Sequence, residues 1–209
     1  MKRTAKTPTL TTGLLLRAYS EGFFPMADPE DGRIGWYSPD PRAIIPLDGF
    51  RVTRSLKRTV ERGTFAVTTD LDFPEVISRC AERDETWISR EIGEAYTELW
   101  REGYGHSVEC RSGGELAGGL YGVAVGGAFF GESMFSLRTD ASKVALVYLV
   151  RILRERGFTL LDVQFMTPHL ARFGAIEIPR DTYFGLLARA LPKKVKFPPP
   201  RPKTAPAGY

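Results

Sequence analysis

Sulfur and imidazole are scarce in this chain. Its 209 residues contain two cysteines, Cys80 and Cys110, and two histidines, His106 and His169. Two thiols are too few for a disulfide framework, and these four residues match no metal-ligand spacing, so no metal site is expected. Each cysteine reads as a small buried hydrophobe. Long apolar runs are missing too: nothing approaches the ~20 residues of a membrane span. Residues 1–10 also lack the apolar core of a secretory signal, so the expected location is the cytoplasm. A strong charge of one sign is absent as well. The net charge is +4, but Lys2, Arg3 and Lys6 at the head and Lys193, Lys194, Lys196, Arg201 and Lys203 at the tail outnumber it, leaving residues 7–191 at −4. Overall basicity therefore does not argue for nucleic acid. A local cluster does better, because phosphate attraction acts within a Debye length of ~8 to 10 Å. Arg51, Arg54, Lys57, Arg58 and Arg62 form one, and a helix starting at Thr53 lays the last four along one face. A solvated helix face accounts for them equally well.

What is present is ample apolar material, 43% of the residues, enough for one large domain or two small ones. Residues 1–9 are expected to be frayed. Leu14, Leu15, Ala18 and Tyr19 keep helical spacing until Gly22 and Pro25, and residues 26–46 read as turns around Trp36-Tyr37-Ser38-Pro39-Asp40-Pro41-Arg42. A short strand over 65–69 is followed by a helix over 73–81, whose Pro74 suits a first turn. Ser89 caps the next helix, in which Ile92, Ala95, Tyr96, Leu99 and Trp100 make a core stripe. Strands over 106–110, 115–125 and 128–135 come next, the last two joined at Gly126-Gly127. Asp140 is expected to cap a largely apolar helix ended by Gly157, and 158–165 forms the following strand. A last helix covers 183–190. Residues 192–209, with Pro198, Pro199, Pro200, Pro202 and Pro206, read as a polyproline-like basic tail that does not pack. The domains are therefore drawn as 1–63, a smaller N-terminal α/β unit, 64–191, and a tail over 192–209. No internal repeat is evident.

Two polar groups stand out in the apolar strand 158–165. Asp162 and Gln164 alternate with Leu161, Val163 and Phe165, so they share one face. Glu132, in Gly131-Glu132-Ser133-Met134-Phe135-Ser136, lies on a neighbouring strand and is expected to share a face with Phe130 and Met134. The order strand, strand, helix, strand gives an α/β (α+β) fold class, a mixed sheet with a crossover helix on the GNAT-like acyltransferase plan. Fold analogy does not establish chemistry. An acetyl-CoA enzyme needs a glycine-containing loop before the helix to cradle a pyrophosphate. Residues 136–142 contain no glycine and place Asp140 at the helix start. A different activated acyl donor is implied.

The residues themselves resemble the leucyl/phenylalanyl-tRNA-protein transferase family. The likeness runs through Leu14-Leu15-Leu16-Arg17-Ala18-Tyr19 with Gly22-Phe23-Phe24-Pro25, the Trp36 to Arg42 string, Ser55-Leu56-Lys57-Arg58 and Thr86-Trp87-Ile88-Ser89-Arg90. It continues through Gly118-Gly119-Leu120-Tyr121-Gly122-Val123, the Gly131 to Ser136 string, Asp162-Val163-Gln164, and His169-Leu170 to Ile178-Pro179-Arg180. Together, in this order, these strings span residues 13–190. Departures are Met26 after Phe24-Pro25, Val163 where Cys is frequent, and Thr167 where Asn is familiar.

The resemblance implies an enzyme that moves Leu, Phe or, less readily, Met from charged tRNA to the N-terminal Lys or Arg of a protein, marking it for N-degron degradation. An aminoacyl ester is already activated, so no cofactor is expected, and a monomer suffices. Carried over by position, Asp162 is the acid/base group, hydrogen-bonded to a Gln164 that orients the attacking amine. Glu132 meets the donor's ammonium or the cationic acceptor end; an alternative is a site that works by positioning alone. Leu120, Phe129 and Met134 line an apolar donor pocket. Trp87 borders the terminal adenosine, where stacking is worth ~1 to 3 kcal/mol. Arg51, Arg54, Lys57 and Arg58 contact the tRNA backbone. Two rivals are a CoA-dependent N-acetyltransferase and a tRNA-binding module without activity.

Overall fold

The computed structural model describes residues 10–83 and 85–204, so the expectation for residues 1–9 lies outside the described part. Helix α1 (Thr12–Ser20) starts at Thr11, whose hydroxyl accepts from the Leu14 amide, and buries Leu15, Ala18 and Tyr19. Strands β1 (Phe24–Ala27) and β2 (Ile34–Tyr37) make a small antiparallel pair, and β3 (Arg42–Ile44) follows. These three strands lie within or overlap the stretch read as turns. Each has three or four residues, too few for an alternation to register, and β3 is recruited by distant partners. Helix α2 (Arg54–Glu61) is capped by Thr53 and buries Leu56 and Val60, leaving its cationic side to solvent.

Strand β4 (Ala66–Thr69) leads into α3 (Phe73–Ala81) and α4 (Arg90–Arg101), the latter capped by Ser89 with Ile92, Ala95, Tyr96 and Leu99 buried. Strands β5 (Gly105–Ser112), β6 (Glu115–Val125) and β7 (Ala128–Ser136) form a meander. Helix α5 (Ala141–Arg156) then crosses to β8 (Leu160–Gln164), which runs parallel to β7. The short α6 (Pro168–Ala171), β9 (Ile176–Ile178), α7 (Arg180–Ala190) and β10 (Arg201–Thr204) complete the chain.

The large sheet has the order β10-β4-β5-β6-β7-β8-β3-β9, and β7 with β8 is its one parallel pair among the described residues. One hydrophobic cluster joins it to α1, α3, α4 and α7, and a second joins it to α2 and α5. The result is a sheet covered on both faces, a mixed α/β architecture. No helix among the described residues is long and apolar enough to cross a membrane.

Three expectations need correction. The described part of the tail, residues 192–204, packs: Phe197 is 7% exposed, its ring 4.3 Å from that of His106 and 5.7 Å from that of Phe129, and β10 pairs with β4, while residues 205–209 lie outside the described part. Proline supplies no ladder donor but is tolerated at a sheet edge, and β10 is an edge strand. A boundary at residue 63 cuts through one sheet, because β3 sits between β8 and β9. Asp140 makes no side-chain cap; it adopts a left-handed backbone with φ 68° and binds Lys143 Nζ at 2.7 Å. Gly157 ends α5 as expected, at φ 82°, a conformation in which glycine carries no Cβ penalty.

Candidate active site

The parallel β7–β8 ladder runs through Ala128↔Leu160, Phe129↔Leu161 and Phe130↔Asp162 and then stops. Two residues further on each strand stand Glu132 and Gln164. Their side chains close the gap, Gln164 Nε2 donating to Glu132 Oε1 at 2.7 Å. Both strands leave regular geometry here. On β7 the pairing passes from Tyr121↔Ser133 to Gly122↔Gly131, so Glu132 is the extra residue of a β-bulge. On β8, Gln164 has φ 65°. Bulges re-aim side chains, and this one corrects the expected face: Glu132 keeps the side of Phe130, while Met134 turns to the α5 side opposite Leu120.

A cavity of about 240 Å³ opens where the strands part. Leu120, Met134, Leu146, Leu149 and Leu161 form its apolar depth, and Glu132, Gln164, Trp87 and His169 stand at polar or aromatic positions around it. Apolar cavities of ~150 Å³ accept a benzene ring, so one leucyl or phenylalanyl side chain fits the volume. Leu146 and Leu149, which complete the chamber, escaped the sequence reading because an apolar crossover helix reads as plain core. Phe129 does not line the cavity. Its ring lies over Gly122, where an added Cβ would come within 2.5 Å of it, and continues into the stack with Phe197.

Asp162 does not reach the cavity either. It is 0% exposed and forms a forked ion pair with Arg42, itself 1% exposed, with Nη2 to Oδ2 at 2.7 Å and Nε to Oδ1 at 3.0 Å. Tyr183 donates to Oδ2 at 2.8 Å and the Gln164 amide donates to Oδ1 at 2.8 Å. Its expected hydrogen bond to Gln164 therefore exists, but to the backbone. Arg42 lies between the rings of Phe24 and Tyr183, 4.8 and 4.6 Å from their centroids. Burial opposes its charge, and the bonds it donates to Asp162, together with that carboxylate's charge, more than offset this, so its pKa rises. Burial and the Asp162 charge likewise push the Tyr183 hydroxyl up. With every available lone pair engaged, the Asp162 carboxylate is held in place and anchors the Gln164 backbone.

Glu132 sits in a different setting. Tyr19 donates to its Oε1 at 2.7 Å, Tyr96 reaches Oε2 at 3.3 Å, and the two tyrosine hydroxyls are themselves in short contact. Burial raises its pKa from 4.5 to about 7, with the Asp162 charge acting the same way and the hydroxyl and amide donors acting against it. Tyr19 and Tyr96 entered the sequence reading only as members of core stripes. A helix stripe shows which face is buried, not where a phenol tip arrives. Arg42 and Tyr183 were equally hidden, since their partner is 120 and 21 residues away.

Trp87 lines the cavity, and its carbonyl accepts from the Ala27 amide at 3.1 Å. The Thr167 hydroxyl caps α6, accepting from Leu170 at 3.1 Å. His169 packs edge-on against Phe173, and burial followed by the nearby Lys143 and Arg172 charges lowers its pKa, so it is a neutral wall residue. Phe173 in turn stacks on Phe50, and its carbonyl accepts a hydrogen bond from the Arg51 amide at 2.9 Å. This contact chain links the cavity to the start of α2, whose Arg54, Lys57 and Arg58 are exposed, as is Arg51. Lys57 lies 3.8 Å from Glu61 one turn on.

Two family models match in tandem. One, described as leucyl/phenylalanyl-tRNA protein transferase N-terminal domain, covers residues 9–40, and one described as leucyl/phenylalanyl-tRNA protein transferase covers residues 44–188. A relative of that name from Salinibacter ruber is 56% identical over 87% of this chain and 80% of its own length. Another from Herpetosiphon aurantiacus is 56% identical over 91% of this chain and 100% of its own. Among solved structures, one described as L-PGS from Bacillus licheniformis aligns at 16% identity and a TM-score of 0.40, covering 73% of this chain and 53% of that one. With the Glu132–Gln164 bridge and Asp162 inside the longer match, and the cavity lined from both matches, Met26 lying in the shorter, the chain belongs to the leucyl/phenylalanyl-tRNA-protein transferase family.

Proposed function

We propose that the cleft between β7 and β8 is where an aminoacyl group, delivered on tRNA, is joined to the amino terminus of a protein. As a member of this family the chain is an aminoacyltransferase, moving Leu or Phe from tRNA to N-terminal protein ends. The observation that carries the site assignment is the apolar chamber ending at the Glu132–Gln164 bridge. The donor side chain enters among Leu120, Met134, Leu146, Leu149 and Leu161, and its ester carbonyl stops level with the two polar groups. Gln164, held through its backbone by Asp162, orients the attacking amine, and Glu132 receives it. Trp87 stacks on the terminal adenosine, and α2 with Arg51 carries the phosphate backbone.

This division of labour suits the reaction. The ester is activated before it arrives, so catalysis consists of alignment, worth ~7 to 11 kcal/mol, and the handling of one proton. The parallel β7–β8 pair with its α5 crossover supports a GNAT-like reading of the fold. The α5 start does not suit a pyrophosphate, because Asp140 places a carboxylate there. Acceptors beginning with Lys or Arg, and their marking for N-degron degradation in the cytoplasm by a monomeric enzyme, complete the reading. The test uses purified protein, tRNA charged with labelled Leu or Phe, and peptides beginning with Arg, Lys or Ala. Label on the Arg and Lys peptides alone supports it; tRNA binding without label on any peptide refutes it.

A further inference from the structure

The Glu132 cluster has four hydrogen-bonding contacts: Tyr19 with Glu132, Tyr96 with Glu132, Tyr19 with Tyr96, and Gln164 with Glu132. An ionised Glu132 leaves three hydrogens to fill them, one on each hydroxyl and one from the Gln164 amide. The single Tyr96 hydrogen serves Tyr19 or Glu132, not both. A proton on Glu132 supplies the fourth. The side-chain arrangement is thus complete when Glu132 carries a proton and one hydrogen short when it does not, which is the property of a proton acceptor at rest between two states.

We infer that Glu132, rather than Asp162, takes the proton from the attacking amine and lends it to the departing ribose oxygen, with Tyr19 and Tyr96 holding it in between. This rests on the aminoacyl-transfer reading of the cleft. The neutral α-amine attacks the ester carbonyl carbon, the new N–C bond forms, and the carbonyl π electrons move to oxygen. The nitrogen gives one proton to the Glu132 carboxylate. When the oxygen electrons return, the C–O bond to the ribose breaks, and the ribose oxygen leaves with the proton held on Glu132. Amine hydrogen becomes ribose hydroxyl hydrogen, and Glu132 returns to its starting charge.

Among the groups packed against Glu132 none is a rival base, and His169, which lines the same cavity from α6 with its Nε2 unpartnered among the described residues, has a pKa lowered by burial and so is the weaker base. Tyr19 comes from α1, Tyr96 from α4 and Tyr121 from β6, and burial raises all three phenols well above their ordinary range. Asp162, from β8, spends its oxygens on Arg42 from β3, Tyr183 from α7 and the Gln164 amide. Arg83 and Cys80 lie beyond Tyr121, where burial pushes the thiol up to about 12. The Tyr121 hydroxyl is buried without a partner among the described residues. Glu132 at about 7 and an α-amine at ~7.7 to 8 are matched within about one unit, as proton transfer requires.

The test is single-turnover transfer from charged tRNA to a sub-saturating Arg-initiated peptide between pH 5.5 and 8.5. Below pH 7 both the amine and Glu132 must be unprotonated, so the logarithm of the rate rises with a slope of about two, and Glu132→Gln should reduce the slope to about one and the pH 8 rate by about 10² to 10⁴. Glu132→Asp, which keeps a carboxylate, should recover part of the rate and the slope of about two. A wild-type slope of one, an unchanged slope in Glu132→Gln, or a slope of one in Glu132→Asp overturns the inference. Absence of transfer by the wild type at every pH would instead remove the reading on which it rests.

Discussion

If Asp162 is an anchor, its coupling to Arg42 is measurable without any substrate. Arg42 and Asp162 are 1% and 0% exposed, so replacing either alone leaves the other charge, or its donors, uncompensated in the interior. Such single removals cost about 3 to 5 kcal/mol. In Asp162→Asn the amide nitrogen faces the donors of Arg42 or Tyr183, so the upper half of that range is expected. Arg42→Gln keeps the Tyr183 and Gln164 bonds to the carboxylate, which places it nearer 3 kcal/mol. The double variant, Arg42→Gln with Asp162→Asn, is neutral: the introduced asparagine still accepts from the Gln164 amide and donates to the introduced glutamine. It should cost only about 2 kcal/mol, giving a coupling near 5 kcal/mol, large against a total stability of about 5 to 15 kcal/mol. Urea unfolding followed by tryptophan fluorescence measures each corner of the cycle. Transfer at saturating tRNA should return in the double variant, because Glu132 is untouched. Single costs that add within about 0.5 kcal/mol would refute the buried pair, and a folded but inactive double variant would return the base role to Asp162.

Four further outcomes follow from the geometry. The folded protein holds a proton on Glu132 that the unfolded chain releases near pH 4.5, so wild-type stability declines as pH rises from there to about 7. Glu132→Gln should abolish that decline and gain up to about 3 kcal/mol at pH 8, read from denaturation midpoints across pH. Leu146→Phe, filling the chamber, should turn donor preference toward Leu over Phe by at least about tenfold in competition assays, while Ile and Val remain poor donors. Changing Arg54, Lys57 and Arg58 to Glu should raise the Michaelis constant for tRNA and flatten its logarithmic salt dependence by up to about 2 to 3. Phe197→Ala should cost about 3 to 5 kcal/mol in thermal unfolding, with transfer unchanged below the transition.

Much of the fold was legible because long elements carry their own pattern. The stripe of α4, its Ser89 cap and the meander from β5 to β7 follow from spacing and glycine pairs alone. The three polar site residues were visible for the same reason, a carboxylate or amide in an apolar strand being rare. Hidden were the features set by distant partners. Nothing local marks residues 42–44 as an interior strand, and nothing near Glu132 announces a bulge that parts its face from that of Met134. The expectation that residues 192–209 do not pack failed at Phe197, since proline content describes backbone preference and says little about one aromatic ring beside a waiting His106.

The placement of β3 has a consequence for biosynthesis. Arg42 leaves the ribosome 120 residues before Asp162, and its strand is flanked on one side by β8 and on the other by β9. A growing chain therefore possesses its cationic helix α2 and its meander before the opening beside Glu132 can exist. Loop closure over that distance comes late, and contacts so remote in sequence slow assembly. Fragments released before residue 160 would carry the exposed cationic side of α2 but lack the β8 wall of the cavity.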